Sequence, residues 1–260
     1  QSISKFSSSE DLFKILSDII KEYEALEYLE GHKKIGVGIA VPGPIDVFQG
    51  KITLVTDRIG WSGIKLQELH SITELPLIIE HDASSAAVGE RLFGAAQGGS
   101  EVIFIAAGRG IGAGAILGGE IVRGSQGLSG EFGHMSIAAE GIPCSCGNRG
   151  CIERYSSINS LLQSLKAKIE NGKLELDLEN LSFEKVIELF HSANEIVRKT
   201  VLETAHYLGV GIVNLVNLFG PELIVLGDEM EKLGNIWSEE VKKVIRKRAL
   251  RRYTKILTIK

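Results

Sequence analysis

Cys144, Cys146 and Cys151 form a C-x-C-x4-C cluster, and the 260-residue chain has no other cysteine. An odd number of thiols crowded into one loop is not a disulfide framework, which uses even numbers of cysteines to staple separate segments. His134 lies ten positions ahead of Cys144. The segment therefore offers three sulfurs and one imidazole nitrogen, the tetrahedral Cys3His set that zinc takes. The competing reading, buried free thiols beside an unrelated histidine, is disfavoured by this crowding. Four protein ligands leave no open coordination position, so the metal expected here is structural rather than catalytic. Gly147 and Gly150 allow a tight fold around it, while Asn148 and Arg149 keep the outer face of the loop wet.

The scaffold that must carry this loop reads as α/β. Apolar residues recur at helical spacing from Leu12 to Leu26, behind a serine cap at Ser8 or Ser9. The run KIGVGIAV at 34–41 is a buried strand that stops at Pro42-Gly43-Pro44. Short strands are expected at 51–55 and 77–80 with a helix over 64–75 between them, then a helix over 83–92. A strand at 102–107 runs into the loop Gly108-Arg109-Gly110-Ile111-Gly112, followed by a hairpin over 114–122 turning at Gly118-Gly119. Beyond the cysteines, helices are expected over 157–168, 183–190, 194–217 and 235–250, and strands at 223–226 and 255–259; the polar stretch 171–180 is a loop or an edge strand. His81-Asp82 falls at the C-terminal end of a strand, where open α/β sheets place their ligands.

The formal net charge of −4 argues against a surface coated with nucleic acid. The basic run Lys242, Lys243, Arg246, Lys247, Arg248, Arg251 and Arg252 lies near the end of a helix, where cations complement the helix dipole, and reads as a solvated face. No apolar run reaches the ~18 residues of a membrane span, and the N-terminus lacks the basic and apolar regions of an export signal. A cytoplasmic protein without a membrane partner is expected.

The segment GLSGEFGHMSIAAEGIPCSCGNRGCIE at 127–153 resembles the ROK family of sugar kinases and sugar-responsive transcriptional repressors. GVGIAVPGPID at 36–46, Trp61, HDASSAAVGE at 81–90, the glycine loop at 108–114 and PELIVLGD at 221–228 follow in the family's order, so the resemblance spans nearly the whole chain. It implies a two-lobed sugar-kinase/actin-like (ribonuclease H-like) α/β fold, with a small N-terminal lobe at 1–79 and a larger lobe at 80–260 that carries the zinc loop and sugar site. It also implies sugar contacts. Asp82 corresponds to the aspartate that touches the hydroxyl to be phosphorylated, Glu131 and His134 to the ExGH motif, and Glu153 to the GCxE motif; His134 then serves sugar and zinc together. His81 stands where the kinases carry Asn and is expected to be a weaker sugar contact.

Against a kinase pattern, the Asp-x-Gly-Gly-Thr phosphate loop expected near the start is not in this sequence. The usual Gly-Thr-Gly of the second phosphate loop is Gly108-Arg109-Gly110, the adenosine-side Gly-Gly is Gly227-Asp228, and the C-terminal Gly-Ala helix is missing. His81-Asp82 and Ser84 resemble the repressor branch, in which a winged helix-turn-helix precedes the sugar-binding lobes. The resemblance thus implies the monosaccharide-sensing effector domain of a repressor, a homodimer meeting DNA through a module upstream of this chain. The alternative is an ATP-dependent, glucokinase-like sugar kinase using Mg-ATP, with Asp82 as general base.

Overall fold

The computed structural model describes residues 9–26, 31, 33–43, 45–46, 49–52, 65, 71–125 and 127–260. Contacts divide the chain into two units, Gln1–Ser85 with Arg123–Ser129, and Ala86–Val122 with Gly130–Lys260. The expected lobes broke at 79; here the first unit runs on through Ser85 and reclaims a short segment much later in the chain.

In the first unit, helix α1 (Ser9–Glu24) sets Leu12, Phe13 and Leu16 against Ile39 and Val41 of β1 (Val37–Val41), Ile45 of β2 (Ile45–Asp46), and Leu77 and Ile79 of β4 (Leu77–His81). The i, i+4 spacing of Leu12 and Leu16 puts both on the face that packs. Strands β1 and β4 pair in parallel, from Val37 opposite Leu77 to Val41 opposite His81, while β2 pairs antiparallel with β3 (Lys51–Ile52). Trp61, the remainder of the strand expected at 51–55 and most of the helix expected over 64–75 lie outside the described residues. Residues 71–75, the described end of that span, are not α-helical.

The second unit is built on a five-stranded sheet of order β7-β6-β5-β8-β9. Its centre is β5 (Val102–Ala107), antiparallel to β6 (Ile111–Leu117) and parallel to β8 (Leu223–Gly227). Strand side chains alternate between faces, so a strand covered on both sides reads as an unbroken apolar run. Ile103, Ile105 and Ala107 of β5 with Ile224 and Leu226 of β8 enter one core, and Val102, Phe104, Leu223 and Val225 enter the other. Helix α2 (Asp82–Phe93) contributes Ala87 to the smaller core. At the edges β7 (Glu120–Ile121) completes the expected hairpin, and β9 is only Thr258–Ile259. The strand expected at 255–259 is shorter because Tyr253–Lys255 forms a 3-10 turn.

The larger core is covered by α3 (Glu153–Ser156), α4 (Ile158–Glu170), α5 (Phe183–His191), α6 (Glu195–Phe219) and α7 (Asn235–Arg248). Residues 171–180 form a loop ending in a 3-10 turn, Leu178–Asn180, rather than a strand. Helix α6 starts where the Asn194 side chain accepts a hydrogen bond from Val197 N–H and ends at Gly220 in the left-handed conformation. Val197, Val201, Ala205, Leu208, Ile212 and Val216, spaced by four residues with one step of three, are fully buried. By length and composition α6 is apolar enough to cross a membrane, a run the sequence reading did not single out, but over half of its most apolar window is buried inside the protein. It is a core helix. On α7, Lys242 and Arg246 pair with Glu239, and Lys243 with Glu240, which gives the basic run an ion-paired outer face.

Gly209 is a point of close approach between α6 and α7. A Cβ there would lie 2.7 Å from Val244 Cβ and 3.0 Å from the Val241 carbonyl oxygen. Alanine at a helix interior normally gains about 0.8–1 kcal/mol over glycine. Overpacking against a β-branched side chain and a backbone carbonyl costs about 1–3 kcal/mol. We expect Gly209→Ala to be destabilising overall, read as a lower urea midpoint with an unchanged slope; a stabilised variant would show that α6 and α7 can separate freely.

Candidate metal centre and sugar-binding residues

The loop after β7 returns to the sheet at Gly130, whose carbonyl accepts from Ala113 N–H at 3.2 Å, and then makes a 3-10 turn over Phe132–His134. Phe132 is buried, which aims His134 outward beside Glu131. From Met135 the chain doubles back on itself. Ile137 N–H donates to the Gly150 carbonyl, Gly150 N–H to Ile142, and Ile152 N–H to Met135, with bridges Ser136–Cys151 and Pro143–Arg149. Cys144 N–H donates to the Asn148 carbonyl and Gly147 N–H to Cys144, closing a tight knuckle. Gly150 has φ +71°, and a Cβ there would collide with the Ala138 carbonyl, so this position admits only glycine.

This folding brings all four expected metal ligands together. The ligand atoms of His134, Cys144, Cys146 and Cys151 lie within 4.8 Å of one another. Cys146 Sγ is 3.7 Å from Cys151 Sγ, and Cys144 Sγ is 3.7 Å from His134 Nδ1. A tetrahedral zinc with Zn–S bonds of ~2.3 Å has sulfur–sulfur edges of ~3.8 Å, so both the donor set and its spacing fit that ion. Burial raises the Cys144 thiol, but hydrogen bonds from the Cys146 backbone and from the side chains of Cys146, His134 and Cys151 outweigh it and lower the pKa to about 7. Cys151 is pushed up to about 12, first by burial and then by Cys146 and Cys144. Ionising one sulfur thus makes the next harder to ionise, a penalty that a divalent cation at their centre would relieve.

The other face of the His134 ring looks elsewhere. Its Nε2 is 3.8 Å from Glu131 Oε2, and both side chains are about one-third exposed. Glu153, the first residue of α3, accepts from Ile111 N–H at 3.0 Å through Oε2. Gly110 and Gly133 leave room for that carboxylate, since a Cβ on either would lie 2.8 Å or 3.4 Å from Glu153 Oε2. Glu131, His134 and Glu153 therefore border the Cys3His knuckle and the start of β6 within one unit.

Asp82 and His81 belong to the first unit. His81 ends β4, is buried, and has Nε2 3.3 Å from Asp82 Oδ1, while its Nδ1 has no hydrogen-bond partner among the described residues. Asp82 opens α2, is half exposed, and accepts from Ala83 N–H at 2.7 Å. Its carboxylate thus satisfies one free N–H at the start of that helix. A nearby feature had no motif to announce it: Glu80 Oε2 pairs with Arg123 Nε at 2.7 Å, across 43 residues of sequence.

The sequence matches the ROK family over residues 3–259. The chain belongs to the ROK family. It is 39% identical over 225 residues to the xylose repressor of Bacillus subtilis, covering 85% of this chain and 55% of the repressor. Among solved structures, a ROK family transcriptional regulator homologous to the E. coli MLC protein superposes with TM-score 0.83 at 25% identity, covering 97% of this chain and 64% of that one. A ROK family glucokinase from Streptomyces griseus, solved with glucose and AMPPNP, gives TM-score 0.79 at 28% identity, covering 93% and 79%. The fold is thus the sugar-kinase/actin-like fold shared by kinases and repressors of the ROK family. The chain spans 55% to 61% of the length of the xylose repressors it matches.

Proposed function

We propose that this ROK chain is the sugar-sensing part of a transcriptional regulator, with a monosaccharide, xylose first among those to test, as its ligand. The observation that carries the reading is the 39% identity to a xylose repressor across 85% of the chain. The replacement of nucleotide-side glycine motifs by Gly108-Arg109-Gly110 and Gly227-Asp228 supports it. In this reading Asp82, Glu131, His134 and Glu153 hydrogen-bond sugar hydroxyls, His81 contributes more weakly, and His134 with the three cysteines holds a structural zinc. Carboxylates suit this task because each accepts from vicinal hydroxyls, and a metal-held imidazole is fixed in tautomer and direction. The regulator would work as a homodimer in the cytoplasm, binding DNA through a helix-turn-helix upstream of this chain, with sugar occupancy shifting the population of DNA-competent states.

The kinase reading keeps one specific support, the structural match to a glucokinase solved with glucose and AMPPNP; in it Asp82 would be the general base and Mg-ATP the donor. A thermal-shift screen of xylose, glucose, mannose, fructose and N-acetylglucosamine, with and without Mg-ATP, separates the two. A ligand that binds only the folded state raises the melting temperature. Sugar alone should stabilise and Mg-ATP should add nothing.

The site itself is tested by truncation. Glu131→Ala should leave sugar hydroxyls unpaired at a cost of about 1.5–3 kcal/mol, which corresponds to roughly 10- to 150-fold weaker binding in calorimetry. Unchanged affinity after single alanine substitutions at Asp82, Glu131, His134 and Glu153 would show that the sugar binds elsewhere.

A further inference from the structure

Strands β5 and β8 run parallel and adjacent, with Ala106 opposite Gly227, so the loops after them open side by side at the carboxyl end of the sheet. That is where α/β proteins take their ligands, and glycine-rich turns there commonly cradle phosphate. Two positions at this spot are glycine for steric reasons. A Cβ on Gly227 would lie 2.6 Å from the Phe104 ring, and one on Gly108 would run into the Asp228 carboxylate.

Residue 228 is the anomaly. Its backbone has φ 78° and ψ −169°, a region that glycine occupies freely and other residues enter only under strain. The strained backbone is held in part by Asp228 Oδ1, which accepts from Glu229 N–H at 2.8 Å. Its other oxygen, Oδ2, is the atom closest to the missing Cβ of Gly108. The cleft beside it, about 460 Å³, is lined by Asp228, Glu229, Glu231 and Lys232, so acidic groups outnumber basic ones three to one. Hydrogen bonds to its own backbone N–H and to Ser182 hold the Glu184 carboxyl below its usual range, and the charges of Lys232 and Arg109 add to this.

We propose that the Asp228 carboxylate is a built-in anion that covers the Gly108 turn and keeps phosphate-bearing ligands, nucleoside triphosphates above all, off that turn and out of the cleft beside Asp228. This rests on the sensor reading and deepens it: the domain is kept from answering to nucleotide by a side chain that fills and charges the place a phosphate would take. Like charges facing one another exclude the wrong partner without any loss of fold.

The test is calorimetric titration of magnesium AMPPNP into the full-length protein and its Asp228→Gly and Asp228→Asn variants, each with saturating sugar. Wild type should bind weakly or not at all. Asp228→Gly should bind at least about tenfold more tightly, and Asp228→Asn, which removes the charge and keeps the bulk, should fall between. Melting temperature serves as the fold control, and Asp228→Gly should match or exceed wild type because the strained backbone is relieved. Nucleotide binding by wild type as tight as by Asp228→Gly, or folded variants that both gain nothing, would overturn the proposal. ADP release by the wild type reports separately on the sensor reading: turnover there sinks that reading whatever the variants do, whereas a silent wild type with unresponsive variants sinks this proposal alone.

Discussion

Replacing Cys146 with serine, or stripping the protein with a strong chelator, is expected to release about one zinc per chain and to destabilise the larger unit by several kcal/mol. Structural zinc contributes ~10–16 kcal/mol in small zinc domains. Loss of even a third of that, ~3–5 kcal/mol, lowers the melting temperature of a chain this size by roughly 2–4 °C per kcal/mol. The effect should reach beyond the loop. Cys151 is followed directly by Ile152, which is fully buried and, with Phe132, fills the space over Gly211 of α6. A knuckle that opens thus loosens the helix behind the central sheet. Elemental analysis before and after chelation, with thermal melts of both forms, checks the expectation. Three freely titrating thiols in a metal-free protein of unchanged stability would end it.

The second large effect is a silence. The full-length protein should transfer phosphate from Mg-ATP to no monosaccharide at a kinase's rate, ~1–100 per second, although Asp82 is in place. A general base contributes only ~100- to 10,000-fold. Most of phosphoryl-transfer catalysis comes from loops and Mg2+ that position and neutralise the γ-phosphate. The loops available here carry Arg109 between two glycines and an aspartate at 228. Coupled ADP-release assays over xylose, glucose, mannose, fructose and N-acetylglucosamine, on protein first shown to bind sugar, decide the matter. Turnover in the kinase range would make this an enzyme. Continued silence with sugar-dependent DNA binding is the expected result.

Much of the architecture was legible because its signals are local. Strand β5 was found at its observed bounds from an apolar run ending in glycine, and α6 within two residues at either end from its long apolar pattern. The Cys3His cluster was legible for a different reason, since C-x-C-x4-C with one histidine has few other uses. What escaped the sequence depends on contacts between distant segments. Nothing in Arg123–Ser129 announces that it packs with the first unit, and the Glu80–Arg123 pair is invisible without that knowledge. The C-terminal strand came out shorter than its apolar pattern suggested because a 3-10 turn at Tyr253–Lys255 takes part of the run. Asp228 was noticed as a missing glycine, but its left-handed backbone and its position over Gly108 are properties of two loops together.

The His134 ring has a consequence of its own. An imidazole that gives Nδ1 to a metal has one proton left, and that proton must sit on Nε2. On the side facing Glu131, then, the metal-loaded ring can only donate, and the lone pair it would otherwise offer there is gone. A chelated protein frees the ring to choose either tautomer, so half of its neutral forms would present an acceptor where a sugar oxygen expects a donor. Metal and sugar would in that case be thermodynamically linked through a single proton, each raising the affinity of the other by the same factor.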